Sequence, residues 1–264
     1  MARVTIPARS RAVLQQIGRM ADRLGVPTYA VGGCVRDWLL RRPGGSTDLD
    51  ISVEGSGIEL SRAAGHELGG TVTAHEQFGT ATLTLDGTPA RIDFATCRRE
   101  TYAKPAAYPT VATGTLRDDL FRRDFTINAM AVALNRRRLG TLMDPFHGSR
   151  DLRRKELRML HSRSFLDDPS RLLRGVRFLV RFGLHWELRT ERAACEAVKA
   201  GAIGWLNTGR LRKELDRIAA EEHPRECLER FAELFTPYHA EAPPVKAGRN
   251  RVFFQKGQTP KPRL

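Results

Sequence analysis

The sequence predicts a fold of the α+β class in which helices are mixed with a hairpin-rich sheet; a mixed-sheet α/β fold is the alternative. Two patterns predict it. Helical spacing of apolar residues alternates with short strand-like runs up to about residue 135, and strand signals stop beyond that point. We therefore expect a sheet-containing domain over residues 1–140, a helical domain over residues 141–230 and a basic, weakly ordered tail over residues 231–264.

The elements of the first domain are predicted in close succession. Residues 7–24 have helical apolar spacing, "PTYAVGG" indicates a buried strand that ends in a glycine turn, and "CVRDWLLRR" indicates a helix. The alternation in "DLDISV" predicts a strand, and "IELSRAAGHEL" predicts a helix. Three β-rich runs follow, "TVTAHEQF", "TATLTLDG" and "ARIDFAT", joined by turns at "FGT" and "DGTP".

The second domain is predicted to be helical throughout. Three stretches carry the pattern: "DDPSRLLRGVRFLVRFG", "RTERAACEAVKAG" and "TGRLRKELDRIAAEE". The remaining stretch, from Thr236 to Leu264, is rich in proline, glycine and basic residues, which is typical of a weakly ordered segment.

Charge and composition limit the classes of function. The 264 residues carry a formal net charge of +14, so a strongly acidic partner is expected, with nucleic acid ahead of an anionic membrane. No run approaches the roughly 20 apolar residues of a membrane helix, which disfavours the membrane. Cys34, Cys97, Cys195 and Cys227 form no CxxC pair, which predicts reduced thiols in a cytoplasmic protein. No protein partner can be inferred from the sequence.

Two aspartates interrupt a strand that is otherwise suited to a core. Asp48 and Asp50 point to the same side, opposite Leu49, Ile51 and Val53, because side chains alternate along a strand. Two like charges side by side repel each other, and a hard cation such as Mg²⁺ would offset that repulsion with oxygen ligands. The alternative is an edge strand with a solvated polar face.

A glycine turn and a third carboxylate strengthen the metal hypothesis. Gly32 and Gly33 lie at a strand-to-helix turn whose backbone N–H groups can approach a phosphate, and Arg36 follows in the first helical turn. The turn matches neither the P-loop pattern nor GxGxxG, and a plain tight turn is the alternative. Asp93 lies within a strand-like run, where it either completes a site for two metals or is a surface residue.

Four stretches resemble, in order, the motifs of the class II tRNA nucleotidyltransferase and bacterial poly(A) polymerase family. They are "VGGCVRDWLLRRPGGSTDLDISVEG", "LFRRDFTINAMAVAL", "LMDPFHGSRDL" and "LDDPSRLLRGVRFLVRFG", and the resemblance covers roughly residues 28–220. It implies a nucleotidyltransferase head of the polymerase-β type with a mixed sheet, followed by helical neck and body domains. It also implies template-independent transfer of CMP or AMP from CTP or ATP to the 3′ end of tRNA, with release of pyrophosphate.

The resemblance assigns roles by position. Asp48 and Asp50 would bind Mg²⁺ in a two-metal mechanism, and Asp93 would complete the metal site or take the proton of the attacking hydroxyl. The nucleotide would be held by Gly32, Gly33 and Arg36 at the triphosphate, by Arg123, Asp124 and Asn128 at the nucleotide and ribose, and by Asp168, Arg171, Arg174 and Arg177 along the base-reading face.

The residues themselves offer a reason for base reading. On a helix that begins at Pro169, apolar residues gather on one side and arginines on another, although a solvated basic face with Asp168 as the N-cap is the alternative. A carboxylate accepts a hydrogen bond from the amino group of C or A, and an arginine donates to a ring acceptor. The pair of Asp168 and Arg171 would therefore admit C and A and reject G and U. Arg210 and Glu214, in a later motif, are expected to be structural.

Three questions of function remain open at this point. A poly(A) polymerase shares nearly all of these motifs, and a catalytically silent RNA-binding module is the alternative outside the enzymes.

The family usually has Glu-Asp where this chain has Asp167 and Asp168, and its members are commonly longer. In the family, loss of a flexible loop after the third-carboxylate strand marks members confined to C. Here the connection from Asp93 to Arg122 is long, which predicts addition of the terminal A.

Overall fold

A mixed β-sheet of seven strands organises the first half of the computed structural model, which describes residues 2–41, 48–87 and 91–235. The elements of this half follow in chain order: α1 Ala8–Leu24, β1 Thr28–Val31, α2 Gly33–Leu39, β2 Leu49–Val53, α3 Gly57–Leu68, β3 Gly70–His75, β4 Thr80–Leu85, β5 Arg91–Thr96, β6 Arg98–Thr101, β7 Thr110–Thr113, α4 Leu116–Phe121, β8 Ala131–Ala133 and β9 Leu142–Met143. Strands β6 and β7 form a separate two-stranded sheet.

The strand order in this sheet is β3-β4-β5-β2-β1-β8-β9. Strand β2 pairs with β5 in parallel, and the other neighbouring pairs are antiparallel. Side chains alternate along β2, so that Leu49, Ile51 and Val53 are buried in the main core while Asp50 points the other way. The central position of β2 therefore brings its carboxylate next to the strands on both sides.

The helices of this half form where apolar residues recur at helical spacing. On α1 the buried residues Leu14, Ile17 and Ala21 lie on one face, and the helix ends at Gly25 in the left-handed conformation, with φ of 69°. Helix α3 is capped by Ser56, whose side chain accepts a hydrogen bond from the backbone N–H of Glu59. The two helices pack on each other, and their buried residues join the same core as Leu49, Ile51 and Val53, so that they lie on the side of β2 away from Asp50.

Helices dominate the second half. The elements are α5 Gly148–Arg154, β10 Glu156–Leu157, α6 Ser164–Asp167, α7 Ser170–Phe182, β11 His185–Trp186, α8 Leu188–Lys199, α9 Thr208–Ala219 and α10 Pro224–Glu233. Helix α7 is the central one, with Leu172, Phe178 and Leu179 buried in the main core and Leu173 in a smaller cluster that includes residues of α9 and α10. It begins at Ser170, one residue later than predicted, and the side chain of Asp168 accepts hydrogen bonds from Ser170.

The α+β class is confirmed, but the prediction that strands stop near residue 135 is wrong. Strand β9 pairs with β8, and β10 pairs with β11 in parallel within the helical half. These strands are two residues long, which is too short for an alternation pattern to show in the sequence. The connection between β5 and α4 also contains a hairpin, β6 and β7, that the sequence analysis did not predict.

The predicted division into domains remains a prediction. The last strand of the large sheet ends at Met143, slightly beyond the predicted end of the first domain at residue 140. The predicted tail begins within α10, and residues 236–264 lie outside the part of the chain that the structure describes. Within the described part, no helix has the length and apolar character needed to cross a bilayer.

Candidate functional site

A cavity of about 570 Å³ opens between the large sheet and helix α7; we call it the central cavity. Ten residues predicted from the sequence line it: Gly32, Gly33, Arg36, Asp50, Arg123, Asp124, Asn128, Asp168, Arg171 and Arg174. Eight further lining residues were not predicted as site residues: Glu100, Tyr102, Ala107, Tyr108, Pro109, Arg122, Phe178 and Arg210. Three predicted site residues lie outside this lining, namely Asp48, Asp93 and Arg177.

The glycine turn forms one wall of the central cavity. Gly32 follows β1 with φ of 76° and ψ of −129°, a conformation that favours glycine. A Cβ atom at Gly32 would lie 2.7 Å from Nη1 of Arg123, so the absence of a side chain there lets the arginine reach the turn. The turn therefore exposes backbone to the cavity beside a guanidinium group, an arrangement suited to a phosphate.

Arg36 is held firmly at the same wall. Its Nη1 donates a 2.6 Å hydrogen bond to Oδ1 of Asn128, and its Nε donates to Oδ1 of Asp37 at 3.0 Å. Its guanidinium carbon lies 4.3 Å from the ring centroid of Phe182. Burial lowers the pKa of Arg36 and the nearby Asp37 opposes that effect. The side chain is thus positioned in advance rather than free to follow a ligand.

The carboxylates of Asp50 and Asp93 are partners on neighbouring strands. The two residues are directly in register across the parallel pair β2–β5. Asp50 is exposed to the cavity but recessed among protein atoms, and this burial raises its pKa above the ordinary value. Arg123 opposes the rise, whereas the charges of Asp93 and Asp48 add to it. The fold therefore concentrates negative charge at one end of the central cavity.

The described residues provide only part of a metal site. Within residues 2–41, 48–87 and 91–235, no three His, Cys, Asp or Glu side chains are grouped so that they could hold a metal ion. Oδ1 of Asp93 instead accepts hydrogen bonds from Oγ1 of Thr82 at 2.6 Å and from Nε of Arg91 at 3.0 Å. Mg²⁺ is commonly held by one or two carboxylates together with substrate phosphates and water. Asp48 and Asp50 fit that kind of site, in which the nucleotide supplies the remaining ligands.

A buried aspartate that the sequence analysis missed supports the arginines beside Asp50. Asp119 is fully buried, and its Oδ1 accepts from Nε and Nη2 of Arg122 at 2.9 and 2.7 Å. Its Oδ2 accepts from Nη2 of Arg123 at 3.1 Å and from Oγ of Ser52 at 3.0 Å. Burial raises the pKa of Asp119, but the two arginines outweigh it and hold the pKa below the ordinary value. Both guanidinium groups are thereby fixed at the cavity wall.

Asp124, Asn128 and Arg174 form a second polar cluster. Oδ1 of Asp124 accepts from Nδ2 of Asn128 at 3.0 Å and from the backbone N–H of Phe125 at 2.7 Å. Oδ2 accepts from Nη2 and Nε of Arg174 at 2.6 and 3.0 Å. Burial works against ionisation, yet Arg174 and Asn128 lower the pKa of Asp124 to about 2. The structure brings these three predicted residues together across two distant segments.

Asp168 and Arg171 both line the central cavity. Arg171 is buried, and it donates to Oγ of Ser164 and to the carbonyl oxygen of Arg122, each at 2.7 Å. Its Nε lies 3.9 Å from Oδ2 of Asp168, too far for a direct hydrogen bond. Oδ1 of Asp168 is bound by Nη2 of Arg210 at 2.6 Å. The predicted base-reading pair is therefore assembled with Arg210 as a third member.

Arg177 is not brought to the site. Its Nε donates to Oε1 of Glu221 at 2.8 Å, and its Nη1 lies 3.4 Å from Oε2 of Glu214. These contacts join α7 to α9 and to the residues that follow it, on the side away from the central cavity. Arg177 lies three positions beyond Arg174, about 4.5 Å further along the helix axis and about 60° around it, so the two arginines meet different neighbours.

The remaining lining residues come mostly from the hairpin of β6 and β7. Glu100 accepts from Arg122 and Arg98, and the hydroxyl of Tyr102 donates to Oε2 of Glu100 at 2.9 Å. Burial and the adjacent Glu100 raise the pKa of Tyr102. No motif in the sequence marks these positions. Phe178 could have been found, because it lies one turn beyond Arg174 on the same helix face.

The balance of charge defines what the central cavity can bind. Six arginines and four carboxylates line it. The lining combines the glycine turn and Asp50 with Asp168, and arginines from both the sheet-containing half and the helical half contribute to it. A volume of about 570 Å³ falls within the range of small-molecule sites. An elongated polyanion with a polar ring at one end, such as a nucleoside triphosphate, matches this distribution.

Comparison with known proteins gives consistent matches. Residues 28–158 match the family described as the poly(A) polymerase head domain. An A-adding tRNA nucleotidyltransferase of Halalkalibacterium halodurans is 42% identical over 224 residues, covering 84% of this chain and 52% of the relative. A CC-adding tRNA nucleotidyltransferase of Deinococcus radiodurans is 40% identical over 223 residues, covering 82% of this chain and 56% of the relative. The chain thus spans about half the length of these two relatives.

A solved structure agrees with the fold. The apo form II of a CCA-adding enzyme superposes with a TM-score of 0.83 at 38% identity, over 90% of this chain and 58% of that one. The likeness extends through both the sheet-containing half and the helices that follow it.

Proposed function

Because the chain belongs to the class II tRNA nucleotidyltransferase and poly(A) polymerase family, we propose that it adds nucleotides to the 3′ end of tRNA. It takes CMP or AMP from CTP or ATP and releases pyrophosphate. One observation carries the proposal: the central cavity joins the Gly32–Gly33 turn and Asp50 to the pair of Asp168 and Arg171 within a single volume. Triphosphate and base of one nucleotide can therefore be held together.

The triphosphate lies against the glycine turn in this proposal. Arg123 is held at the turn by Asp119, and Arg36 is held there by Asn128 and Asp37. Fixed guanidinium groups stabilise negative charge that develops on the phosphates without having to reorganise during the reaction. Asp50 and Asp48 would hold Mg²⁺, and the metal would supply a lower pKa for the attacking hydroxyl and neutralisation of charge on the leaving pyrophosphate.

The attacking group is the 3′ hydroxyl of the RNA, in line with the bond to the leaving pyrophosphate. Asp93, in register with Asp50, is either a further metal ligand or the acceptor of the hydroxyl proton. At the other end of the cavity, Asp168 accepts from the amino group of cytosine or adenine and Arg171 donates to a ring acceptor. Arg174 fixes Asp124 near the ribose through its two hydrogen bonds.

Addition of the terminal A is part of the proposal. The connection between Asp93 and Arg122 is retained here and contains the hairpin of β6 and β7, whose loop lines the central cavity. A-adding enzymes are also among the relatives with about 42% identity.

The test uses two substrates, tRNA that lacks its 3′ CCA end and tRNA that ends in C-C. Each is incubated either with labelled CTP alone or with labelled ATP alone. Product from tRNA ending in C-C with ATP alone is the expected result. Product only from the shorter tRNA with CTP alone would identify a C-adding enzyme. Long tails of A on an unrelated RNA would identify a poly(A) polymerase, and binding of tRNA without any transfer would identify a silent binding module.

A further inference from the structure

Arg210, which the sequence analysis treated as structural, connects three parts of the central cavity. It lies in the first turn of α9, and Oδ1 of Asn207 accepts from its backbone N–H at 2.9 Å. Its Nη2 donates to Oδ1 of Asp168 at 2.6 Å, and its Nη1 donates to the carbonyl oxygen of Ala106 at 3.3 Å. A single guanidinium group therefore joins the base-reading carboxylate to the loop of residues 102–109 between β6 and β7, which we call the hairpin loop.

The contacts of Asp168 are divided unequally between its two oxygens. Oδ1 accepts from the backbone N–H of Ser170 at 3.1 Å, from its hydroxyl at 2.5 Å and from Arg210 at 2.6 Å. Nε of Arg171 lies 3.9 Å from Oδ2. Three donors on Oδ1 fix the plane of the carboxylate, and Oδ2 is the oxygen that remains to meet a base.

The hairpin loop is docked onto the helical half beside this carboxylate. The backbone N–H of Ala106 donates to the carbonyl oxygen of Leu166 at 3.0 Å, and Nδ2 of Asn207 donates to the hydroxyl of Tyr108 at 3.3 Å. Ala106 has φ of 56°, a left-handed conformation that alanine rarely adopts. The guanidinium carbon of Arg210 lies 5.9 Å from the ring centroid of Tyr108. Arg210 is thus shared between the docked loop and Asp168.

We propose that Arg210 is a positioning residue for nucleotide selectivity: it orients Asp168 so that Oδ2 faces the base, and it links that orientation to the docked hairpin loop. This inference rests on the proposed function of the central cavity. The physical reason is that the last torsion of an aspartate side chain is soft, so the carboxylate rotates when a donor is removed. A rotated carboxylate no longer distinguishes the amino group of C or A from the keto group of U or G.

The test measures equilibrium binding of CTP, ATP, UTP and GTP to the full chain in the presence of Mg²⁺, for the wild type and for Arg210→Gln. We expect the preference of the wild type for CTP and ATP to fall about tenfold in the variant, which corresponds to about 1.4 kcal/mol. The matched control is Arg212→Gln, which removes the same charge from an exposed position on the same helix and leaves the preference unchanged.

Two further variants separate positioning from a general loss of charge or fold. Asp168→Asn abolishes the preference, and combining it with Arg210→Gln changes nothing more, because Arg210 acts through Asp168. Tyr108→Phe removes the hydroxyl contact of the loop and reduces the preference to a smaller extent. If circular dichroism shows that Arg210→Gln is unfolded, Arg210→Lys takes its place, and it gives an intermediate preference because an ammonium group cannot serve both partners in the same geometry.

The outcomes against the proposal are equally definite. If Arg210→Gln weakens the binding of all four nucleotides equally, Arg210 only attracts phosphate. An unchanged preference in Arg210→Gln, or additive effects in the double variant with Asp168→Asn, would also overturn its role. An unchanged preference in Tyr108→Phe would remove the link to the loop. Because the readout is binding, a wild type that discriminates among nucleotides but transfers none to tRNA contradicts the proposed function and not this inference.

Discussion

Arg174 binds Asp124 with two hydrogen bonds to a single carboxylate oxygen, at 2.6 Å from Nη2 and 3.0 Å from Nε. The pair joins helix α7 to the segment that precedes β8, so that it ties the helical half to the sheet at the wall of the central cavity. The other carboxylate oxygen of Asp124 is bound by Asn128 and by the backbone of Phe125. Removing one partner of a buried, fully hydrogen-bonded ion pair is strongly destabilising, because the other charge is left buried without compensation.

Removing the arginine from this pair should destabilise the protein. Arg174→Met leaves Asp124 buried without its cation, and we expect a loss of about 3 kcal/mol in the free energy of unfolding, measured by urea denaturation at pH 7. The control is Arg181→Met on the same helix, where an exposed arginine pairs with Glu221. Its expected cost is less than about 1 kcal/mol. Equal costs for the two variants would contradict a special role of the pair.

The same pair predicts how stability depends on acid. The pKa of Asp124 is about 2 in the folded protein, against an ordinary value of 3.8. A lowered pKa in the folded state stabilises the protein above pH 4, and this contribution of roughly 2 kcal/mol is lost as the pH falls from about 4 to about 2. The free energy of unfolding of Asp124→Asn should therefore fall less than that of the wild type between pH 5 and pH 2.5. If the free energies of unfolding of the two proteins fall in parallel over this range, the lowered pKa of Asp124 is contradicted.

Asp50 should behave in the opposite way, as a residue kept for function at a cost in stability. Its pKa is raised in the fold, so its ionised form at pH 7 opposes folding. Asp50→Asn is expected to lower nucleotide transfer at least about 100-fold, or about 2.7 kcal/mol in barrier, while the free energy of unfolding stays equal or rises.

The control for that variant is Asp216→Asn, which neutralises an exposed aspartate on α9. Thermal unfolding with Mg²⁺ and a non-hydrolysable CTP analogue gives an independent readout. The analogue and metal should raise the unfolding temperature of the wild type and of Asp216→Asn, and should fail to do so for Asp50→Asn. Transfer by Asp50→Asn within about tenfold of the wild type would exclude a role as metal ligand.

Asp119 is expected to support both stability and binding of the triphosphate. Asp119→Asn deprives the half-buried arginines Arg122 and Arg123 of their shared, fully buried carboxylate, so we expect a loss of about 3 kcal/mol in stability and a higher KM for CTP and ATP alike. Asp118→Asn changes the adjacent, half-buried aspartate, which caps α4 together with Thr115, and should cost about 1 kcal/mol without altering KM. A change in preference among the bases would place Asp119 in a different role.

The basic segment at residues 239–264, outside the described residues, should contribute to RNA affinity through its charge. Its basic residues are Lys246, Arg249, Arg251, Lys256, Lys261 and Arg263, set against one acid, Glu241. Deleting it should weaken binding of tRNA and flatten the dependence of affinity on salt, because fewer counterions are released. Changing the six basic residues to glutamine in the full chain should have the same effect. Equal dependence of tRNA affinity on salt in the wild type, the deletion and the glutamine variant would contradict this contribution of the basic segment.

Much of the fold followed from local patterns in the sequence. Helical spacing located α1, α3 and α7, and alternation in β2 placed Asp50 opposite Leu49 and Ile51. The glycine turn was recognisable because Gly32 adopts a backbone conformation that other residues avoid. These features depend on neighbours within a few residues, and a sequence records them directly.

Other features were decided only when distant segments packed together. Strand β7 is exposed along its whole length, and β10 and β11 have two residues each, so none of them carries a pattern of burial. The sequence predicted a place on the base-reading face for Arg177 and a structural role for Arg210. When α9 packs on α7, Arg177 contacts Glu214 and Glu221, and Arg210 contacts Asp168. The crossing of the helices determines which carboxylate lies within reach of each arginine.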